Sequence, residues 1–405
     1  MTQSREDLRT NPLELIILLA MFTSIGALTI DLQLPAMPDI LRSFGFTEGN
    51  QQQWIITAYM VGFALAQIIY GPLSDTLGRK PILLLGLLIY VLASVLCIVA
   101  DSYLGFLLAR ALQGVGAAAA RIMVNAITRD VFSGNEMARV TSLVMMIFIM
   151  VPVLAPSLGS LIIWLGGWRD ILYVYVGFGL LAMCWSWWRL PETLADRHRK
   201  PFSLAQLKLT FGAVIRQPVS MAFAAVSGII FSGFMAYLNS AEQLFASLYQ
   251  VKEHFPLIFG VVALFFGVAA FLNARVVMRF GAMAITRVAL SVMVMCNFLV
   301  VLVAWYFQGL PPLWLFLSSL VLINICIGLI YGNVMAIAMY PLSEHAGMGA
   351  SVIGMVSALL ASLLGVLISQ QLEQTIMPIL LGFLLTSLAA WLLVHRFRDR
   401  VTMAE

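Results

Sequence analysis

The sequence GPLSDTLGRKP, residues 71–81, lies between two long apolar stretches. Asp75 precedes Arg79 by one helical turn, so the two side chains share a helix face and can form an ion pair. Gly78 permits the left-handed backbone with which many helices end. Arg79 and Lys80 favour the cytoplasmic side of a membrane. The stretch therefore predicts a basic turn between two membrane helices.

The composition agrees with a membrane protein. Of the 405 residues, 61% are apolar and 10% are charged, whereas soluble domains carry about 25% charged residues. So few charges cannot cover a surface that faces water, and most of the surface must therefore face lipid. The four cysteines fall within apolar runs without disulfide or metal spacing. No metal site and no cofactor are expected.

Twelve apolar runs are long enough to cross a hydrocarbon core of roughly 30 Å. They are placed near residues 13–34, 54–74, 81–100, 103–127, 138–163, 170–190, 218–246, 255–277, 284–307, 312–340, 347–370 and 376–395. The second run is expected to end in close packing at Gly71 and Pro72. The runs predict an all-α polytopic membrane protein with twelve transmembrane helices.

Basic residues orient these spans across the membrane. Eighteen of the 23 lysines and arginines fall in one set of alternate connections and three in the other, while Arg110 and Arg121 lie within a span. This bias predicts that both termini are cytoplasmic.

The longest polar connection, 191–217, separates six spans from six. We expect an N-terminal six-helix bundle over 1–190, a cytoplasmic linker over 191–217 and a C-terminal six-helix bundle over 218–405. A weak internal repeat supports this division, because ARVVMRFGAM (274–283) follows the first turn by 203 residues. In this alignment Gly78 corresponds to Gly281, and Asp75 corresponds to Met278.

Two charged residues lie inside the predicted spans, and a functional role is expected for them because a charge within the membrane is energetically costly. Asp31 lies eighteen residues into a helix that begins inside, about 27 Å along its axis, and Arg110 lies about 10 Å into a helix that begins outside. Both therefore occupy the outer half of the membrane and can meet if spans one and four are neighbours. An aspartate whose arginine partner approaches and recedes can couple transport to protons. The alternative is a permanent ion pair that locks two helices.

Other side chains are candidates for substrate contact. Arg121 lies almost three turns beyond Arg110 on the same face, and it either binds an anionic substrate group or extends toward the cytoplasm. Glu242 is the one acid within span seven; a second proton site, a contact for a cationic substrate and a position at the outer rim stay open, with the rim slightly favoured. Asn239 is a candidate polar group of the cavity. Candidate aromatic contacts, each with packing as its alternative, are Tyr59, Phe265, Phe266 and Tyr331.

Several segments together resemble the major facilitator superfamily. GPLSDTLGRK is similar to its loop motif between spans two and three, RALQGVGAA (110–118) to its R-x-x-Q-G-x-G motif, and VLAPSLG (153–159) to its antiporter motif, with Ala155 in place of the usual glycine. Segments that resemble its bicyclomycin- and chloramphenicol-resistance (Bcr/CflA) branch of drug:proton antiporters are TIDLQLPAMPDI (29–40), RDVF (129–132), GWR (167–169), PETL (191–194) and GNVMAIAM (332–339). The resemblance implies two six-helix bundles around a cavity that opens to alternate sides.

The resemblance also implies a conformational gate. Its expected residues are Gly71, Asp75, Gly78, Arg79, Lys80, Arg129, Asp130, Pro156 and Gly159. The charged members would form a cytoplasmic latch, with a solvated loop as the alternative for Arg129. Pro156 and Gly159 would belong to a proton-tight helix interface, with a merely kinked helix as the alternative.

These observations predict a proton-driven exporter of small amphiphilic compounds in the bacterial inner membrane, with a small-molecule substrate, protons and the lipid bilayer as its partners. Export of a native metabolite or siderophore, and proton-coupled uptake on the same fold, are the alternatives. A membrane enzyme is disfavoured, because the four histidines lie at loops or span ends and no acid, base or metal groups converge. A monomer that binds no nucleic acid is expected.

Overall fold

A computed structural model describes residues 12–46, 50–132, 134–194, 199 and 203–402. The α-helices of these residues are α1 (Pro12–Asp31), α2 (Met37–Ser43), α3 (Gln52–Leu77), α4 (Arg79–Ile98), α5 (Tyr103–Val131), α6 (Gly134–Leu165), α7 (Trp168–Arg189), α8 (Leu204–Ile215), α9 (Pro218–Gln243), α10 (Phe255–Phe280), α11 (Ala282–Tyr306), α12 (Leu313–Met339), α13 (Ala346–Ser369) and α14 (Met377–Thr402). Twelve segments are long and apolar enough to cross a membrane. The predicted all-α fold with twelve spans is confirmed.

Two of the fourteen helices are not separate spans. A 3₁₀ turn at Leu34–Ala36 joins α1 to α2, and together they form the first span. Helix α8 lies within the connection between the sixth and seventh spans. The remaining eleven helices each provide one span, which gives twelve.

By packing, the chain forms two units. One comprises Met1–Thr47 with Ala58–Lys208, and the other comprises Glu48–Thr57 with Leu209–Glu405. The division after Lys208 falls inside the connection that the sequence indicates as a linker. The first turns of α3 are assigned to the second unit, which the sequence does not reveal.

In the first unit, small residues let the helices approach closely. Helix α4 packs against α5 and α7, while α1 packs against α5 and α6. At the crossing of α3 and α5, a Cβ atom on Gly62 would meet the carbonyl oxygen of Ala111, and one on Gly114 would meet that of Tyr59. Such small residues at helix crossings are typical of membrane bundles.

The second unit repeats this arrangement. Helix α9 packs against α12 and α13, while α11 packs against α12 and α14. Gly78 and Gly281, which precede α4 and α11, share one backbone conformation, with φ/ψ of 104°/161° and 78°/153°. Both lie in the left-handed φ range that favours glycine. The internal repeat predicted from the sequence is therefore present in the backbone.

Helix α3 continues beyond its expected end. Pro72 lies inside the helix, which ends at Leu77. The hydroxyl of Ser74 donates to the Gly71 carbonyl at 2.8 Å, and that of Thr76 donates to the Pro72 carbonyl at 3.2 Å. Pro72 cannot donate to the Ile68 carbonyl, but the helix continues to Leu77, because membrane helices tolerate an internal proline.

Candidate functional site

Arg110 of α5 is completely buried in the first unit. Its Nη1 donates to Oε1 of Gln113, and its Nη2 donates to the carbonyl oxygen of Thr29 in α1 at 3.3 Å. Its Cζ lies 4.9 Å from the ring centroid of Tyr59. Within the described ranges, its Nε has no hydrogen-bond partner. The charge is thus stabilised by dipoles and an aromatic face, and one donor is left over.

Thr29 is the junction of a larger polar network. Its Oγ1 lies 2.7 Å from the hydroxyl oxygen of Tyr90, and its carbonyl also accepts a bond from the Tyr175 hydroxyl at 3.1 Å. Gln113 Nε2 in turn donates to Ser94 Oγ at 2.7 Å. We call Thr29, Tyr59, Tyr90, Ser94, Arg110, Gln113 and Tyr175 the Arg110 network. All seven side chains are buried, so each bond acts at low local dielectric.

Asp31 is the last residue of α1 and is 5% exposed. It lies two residues beyond Thr29, whose carbonyl binds Arg110. Spans one and four are therefore neighbours, as a coupling pair requires. Nevertheless, the ion pairs within 4.0 Å across the described ranges do not include Asp31; they are Asp39–Arg42, Asp75–Arg79, Asp130–Arg79 and Glu14–Arg189. The coupling role of Asp31 and Arg110 stays a prediction.

Helix α6 packs tightly beside Asp31. A Cβ atom on Gly159 would meet the carbonyl oxygen of Leu32, the residue after Asp31. Pro156 is buried one turn earlier and lies within the helix. This packing is suited to excluding water from the acid, although the proton-tight role of Pro156 and Gly159 stays a prediction.

Arg79 organises a second polar site at the turn between α3 and α4. Its Nη1 lies 2.5 Å from Asp75 Oδ1 and 2.8 Å from Ser74 Oγ, while its Nε donates to Asp130 Oδ2 at 2.9 Å. The structure thus brings together Asp75, Arg79 and Asp130, three of the five charged residues expected at the latch. Arg129 is exposed and forms no ion pair with any described residue.

Glu192 belongs to this site, and the sequence analysis did not assign it a role. Its carboxylate accepts hydrogen bonds from the backbone N–H groups of Arg79 at 2.9 Å and Lys80 at 3.2 Å. A carboxylate at this position satisfies donors that the first turn of α4 leaves free and complements its dipole. The segment PETL (191–194), which contains Glu192, was noted only for its resemblance to the Bcr/CflA branch. Its contact with Arg79 could not be predicted, because the two residues are 113 positions apart in the sequence. Lys80 Nζ binds the Trp187 carbonyl at 2.8 Å.

An aromatic row lies along α9 in the second unit. Phe231 and Phe234 are half-buried, and their ring centroids are 5.9 Å apart. Phe231 lies 5.0 Å from the candidate Tyr331 of α12, whereas Tyr237 stacks on Phe259 at 6.0 Å. The sequence analysis missed Phe231 and Phe234, although their spacing of three residues in FSGFMAY indicates one helix face.

The other substrate candidates differ in exposure. Asn239 and Glu242 are both buried in α9, at 4% and 7% exposure, and the three alternatives for Glu242 stay open. Asn239 Oδ1 has no partner within the described part of the chain. Phe265 is 37% exposed, and Phe266 and Arg121 are half-buried. Substrate contact stays a prediction for each of these residues.

A cluster of five amide side chains in the second unit also escaped the sequence analysis. Its members, called the amide cluster below, are Asn50, Gln52, Gln53, Gln243 and Gln370. Asn50 Nδ2 donates to the carbonyls of Gln370 and Leu372, both at 2.8 Å. Gln370 Nε2 donates to the Asn50 carbonyl at 2.8 Å and to Gln53 Oε1 at 2.9 Å. These bonds attach the start of α3 to the end of α13.

Comparisons with known proteins agree with this architecture. The family profile described as Major Facilitator Superfamily matches residues 17–366. The chain belongs to the major facilitator superfamily. It is 30% identical to the uncharacterized MFS-type transporter YdgK of Bacillus subtilis, with 90% of each chain covered.

Two further relatives lie within the branch that the motifs resemble. The chain is 28% identical to the bicyclomycin resistance protein homolog of Haemophilus influenzae, covering 90% of this chain and 91% of the relative. It is 31% identical to the chloramphenicol resistance protein of Pseudomonas aeruginosa, covering 74% and 72%. The resemblance to the Bcr/CflA branch is confirmed. This major facilitator protein is a multi-pass protein of the bacterial inner membrane.

Solved structures show the same fold. The crystal structure of the human organic anion transporter MFSD10 (TETRAN) has a TM-score of 0.72 at 18% identity, with 95% of this chain and 100% of that chain covered. The family and the fold together indicate a transporter rather than an enzyme.

Proposed function

We propose that this major facilitator protein is a proton-coupled antiporter that exports small amphiphilic drugs by alternating access. The observation that carries the proposal is the position of buried Asp31 two residues beyond Thr29, because Arg110 is bound to the Thr29 carbonyl rather than to a carboxylate. The names of two relatives, which refer to bicyclomycin and chloramphenicol resistance, support drugs as the cargo. Both termini are proposed to be cytoplasmic, and the chain acts as a monomer without a cofactor.

The proposed coupling step is an exchange of partners at Arg110. While Arg110 Nη2 binds the Thr29 carbonyl, Asp31 carries a proton, because an ionised carboxylate buried without a partner is costly. When the helices rearrange, the guanidinium binds the Asp31 carboxylate two residues further on, and the proton leaves. The unpartnered Nε of Arg110 is a donor available for that second state.

The proton gradient is large enough to drive export. Each proton that enters down 100 mV supplies about 2.3 kcal/mol, which corresponds to a concentration ratio of about 50 for a neutral drug. Half-buried Phe231, Phe234 and Tyr331 offer flat apolar surfaces for an amphiphilic molecule. These residues are proposed as substrate contacts, in keeping with the apolar lining of most small-molecule sites.

Drug-driven proton movement in proteoliposomes tests this proposal. The purified protein is reconstituted with a pH-sensitive dye inside, and chloramphenicol or bicyclomycin is added on one side. Antiport predicts that protons move opposite to labelled drug. Asp31→Asn should abolish the proton signal, whereas the matched control Asp39→Asn should keep it, because Asp39 is half-buried and forms an ion pair with its neighbour Arg42. Movement of drug and protons in the same direction would instead identify an uptake symporter.

A further inference from the structure

The turn between α10 and α11 lacks the residues that form the Asp75–Arg79 ion pair at the equivalent turn between α3 and α4. Gly281 repeats the backbone of Gly78, but at the same spacing Asp75 is replaced by Met278 and Arg79 by Ala282. Met278 is 87% exposed. The second turn therefore retains the geometry of the first without its internal charge cluster.

Three arginines surround this turn without acidic partners. Arg275 and Arg279 are exposed, Arg287 is half-buried, and none of the three forms an ion pair within 4.0 Å across the described ranges. The Cζ of Arg275 lies 5.2 Å from the Phe271 ring centroid, and that of Arg279 lies 5.4 Å from Phe280. Arg287 Nε is buried and has no hydrogen-bond partner there. The three cations therefore lack a counter-charge among the described residues and can pair with an external anion.

The length of α10 places these cations at a membrane surface. Twenty residues separate Phe255, where α10 begins, from Arg275, which corresponds to about 30 Å, the thickness of the hydrocarbon core. The last turn of α10 therefore lies at the headgroup level. The side chains of Phe271 and Phe280 are each 59% exposed beside it, so apolar surface adjoins the cations.

We propose that the basic turn, defined as Arg275, Arg279 and Arg287, binds the headgroup phosphate of an anionic phospholipid. Guanidinium groups bind phosphate oxygens in a bidentate manner. The positive-inside bias places this turn in the cytoplasmic leaflet, where anionic lipids attract basic residues. The acyl chains would lie against Phe271 and Phe280. The site is independent of the cargo and of Asp31.

Native mass spectrometry of the full chain can test this site. The protein is titrated with phosphatidylglycerol, with phosphatidylcholine as the neutral lipid and with inorganic phosphate as a soluble competitor. The test variant carries Arg275→Gln, Arg279→Gln and Arg287→Gln. The matched control carries Arg139→Gln, Arg216→Gln and Arg396→Gln, three exposed arginines of other predicted cytoplasmic segments. Both variants lose the same net charge.

The site predicts that phosphatidylglycerol binds more tightly than phosphatidylcholine and that its dissociation constant rises roughly fivefold for each arginine removed from the basic turn. The control variant should stay close to the parent. Should the triple variant fail to fold, single Arg275→Gln and Arg279→Gln, both at exposed side chains, should each give about that fivefold rise. Equal losses in the two triple variants, or displacement of lipid by millimolar inorganic phosphate, would overturn the proposal.

Discussion

The Arg110 guanidinium binds the carbonyl oxygen of Thr29 at 3.3 Å, and Asp31 lies two residues further along the same chain. The observed partner of Arg110 is therefore a backbone carbonyl close in sequence to a carboxylate, and not the carboxylate itself. Because the Tyr175 hydroxyl shares the same carbonyl at 3.1 Å, the Thr29 carbonyl is fully occupied while Arg110 is bound to it. The network thus holds the arginine on the Thr29 carbonyl, and its transfer to Asp31 stays a prediction.

Tyr175→Phe removes one of the two donors to the Thr29 carbonyl. We expect a loss of about 1 kcal/mol in the free energy of unfolding, because a buried hydrogen bond is lost while the ring still packs. Thermal unfolding in detergent measures the change. The control is Tyr173→Phe on the same helix, whose side chain is 58% exposed and whose effect should stay within about 0.5 kcal/mol. Equal effects of the two variants would contradict a structural role for the Tyr175 hydroxyl.

Arg79→Gln tests the charge cluster at the first turn. The Arg79 side chain is 5% exposed and that of Asp130 is 15% exposed, so the substitution leaves a largely buried carboxylate without its counter-charge. The expected cost is about 3 kcal/mol, measured by thermal unfolding. Arg129→Gln removes the same charge from an exposed neighbour and should cost much less. A comparable loss of unfolding free energy in Arg129→Gln would mean that basic charge in general, rather than the contacts of Arg79, stabilises the turn between α3 and α4.

Gly114→Ala tests the close crossing of α3 and α5. The added methyl group would meet the Tyr59 carbonyl, so the helices must separate, at a cost of about 1–3 kcal/mol. Gly177→Ala in α7 is the control, because nothing lies within 4 Å of its added Cβ. There the higher helix propensity of alanine should stabilise the protein by up to about 1 kcal/mol. The unfolding midpoints of the two variants should therefore move in opposite directions.

Gln370→Ala tests the amide cluster. The substitution removes the side-chain bonds to the Asn50 carbonyl and to Gln53, and hydrogen exchange at the first turn of α3 should become faster by about tenfold, the equivalent of one to two hydrogen bonds. Amides do not ionise, so this change should be the same at pH 6 and pH 8. Gln371→Ala, at an exposed neighbour, should leave the exchange unchanged. Faster exchange in both variants would indicate general fraying of α13 instead.

The twelve-helix fold could be predicted from the sequence because each inference used only a short stretch of the chain. Twenty-residue apolar runs predicted the spans, and one glycine at a fixed spacing, Gly281, revealed a repeat that the backbone shares. The Asp75–Arg79 pair was also predictable, since four residues make one helical turn. Each of these signals is contained within a single segment or within a comparison of two segments.

The partners of the buried charges were not predictable in the same way. Thr29 contacts Arg110 and Glu192 caps α4 across 81 and 113 residues, and no spacing rule links such positions. The carbonyl that binds Arg110 belongs to the backbone, so no side-chain motif in the sequence predicts this contact. Phe231 and Phe234 did carry a local signal in their spacing, and a search for aromatic faces on span seven would have found them.

The most direct measurement is the number of protons that each drug molecule exchanges in proteoliposomes, compared between the parent, Asp31→Asn and Asp39→Asn. If Asp31 is the coupling acid, the parent and Asp39→Asn should drive drug against its gradient when a proton gradient is imposed. Asp31→Asn should at most equilibrate drug across the membrane, without proton movement. Accumulation of drug by Asp31→Asn to the level of the parent, at the same proton gradient, would contradict the assignment of Asp31.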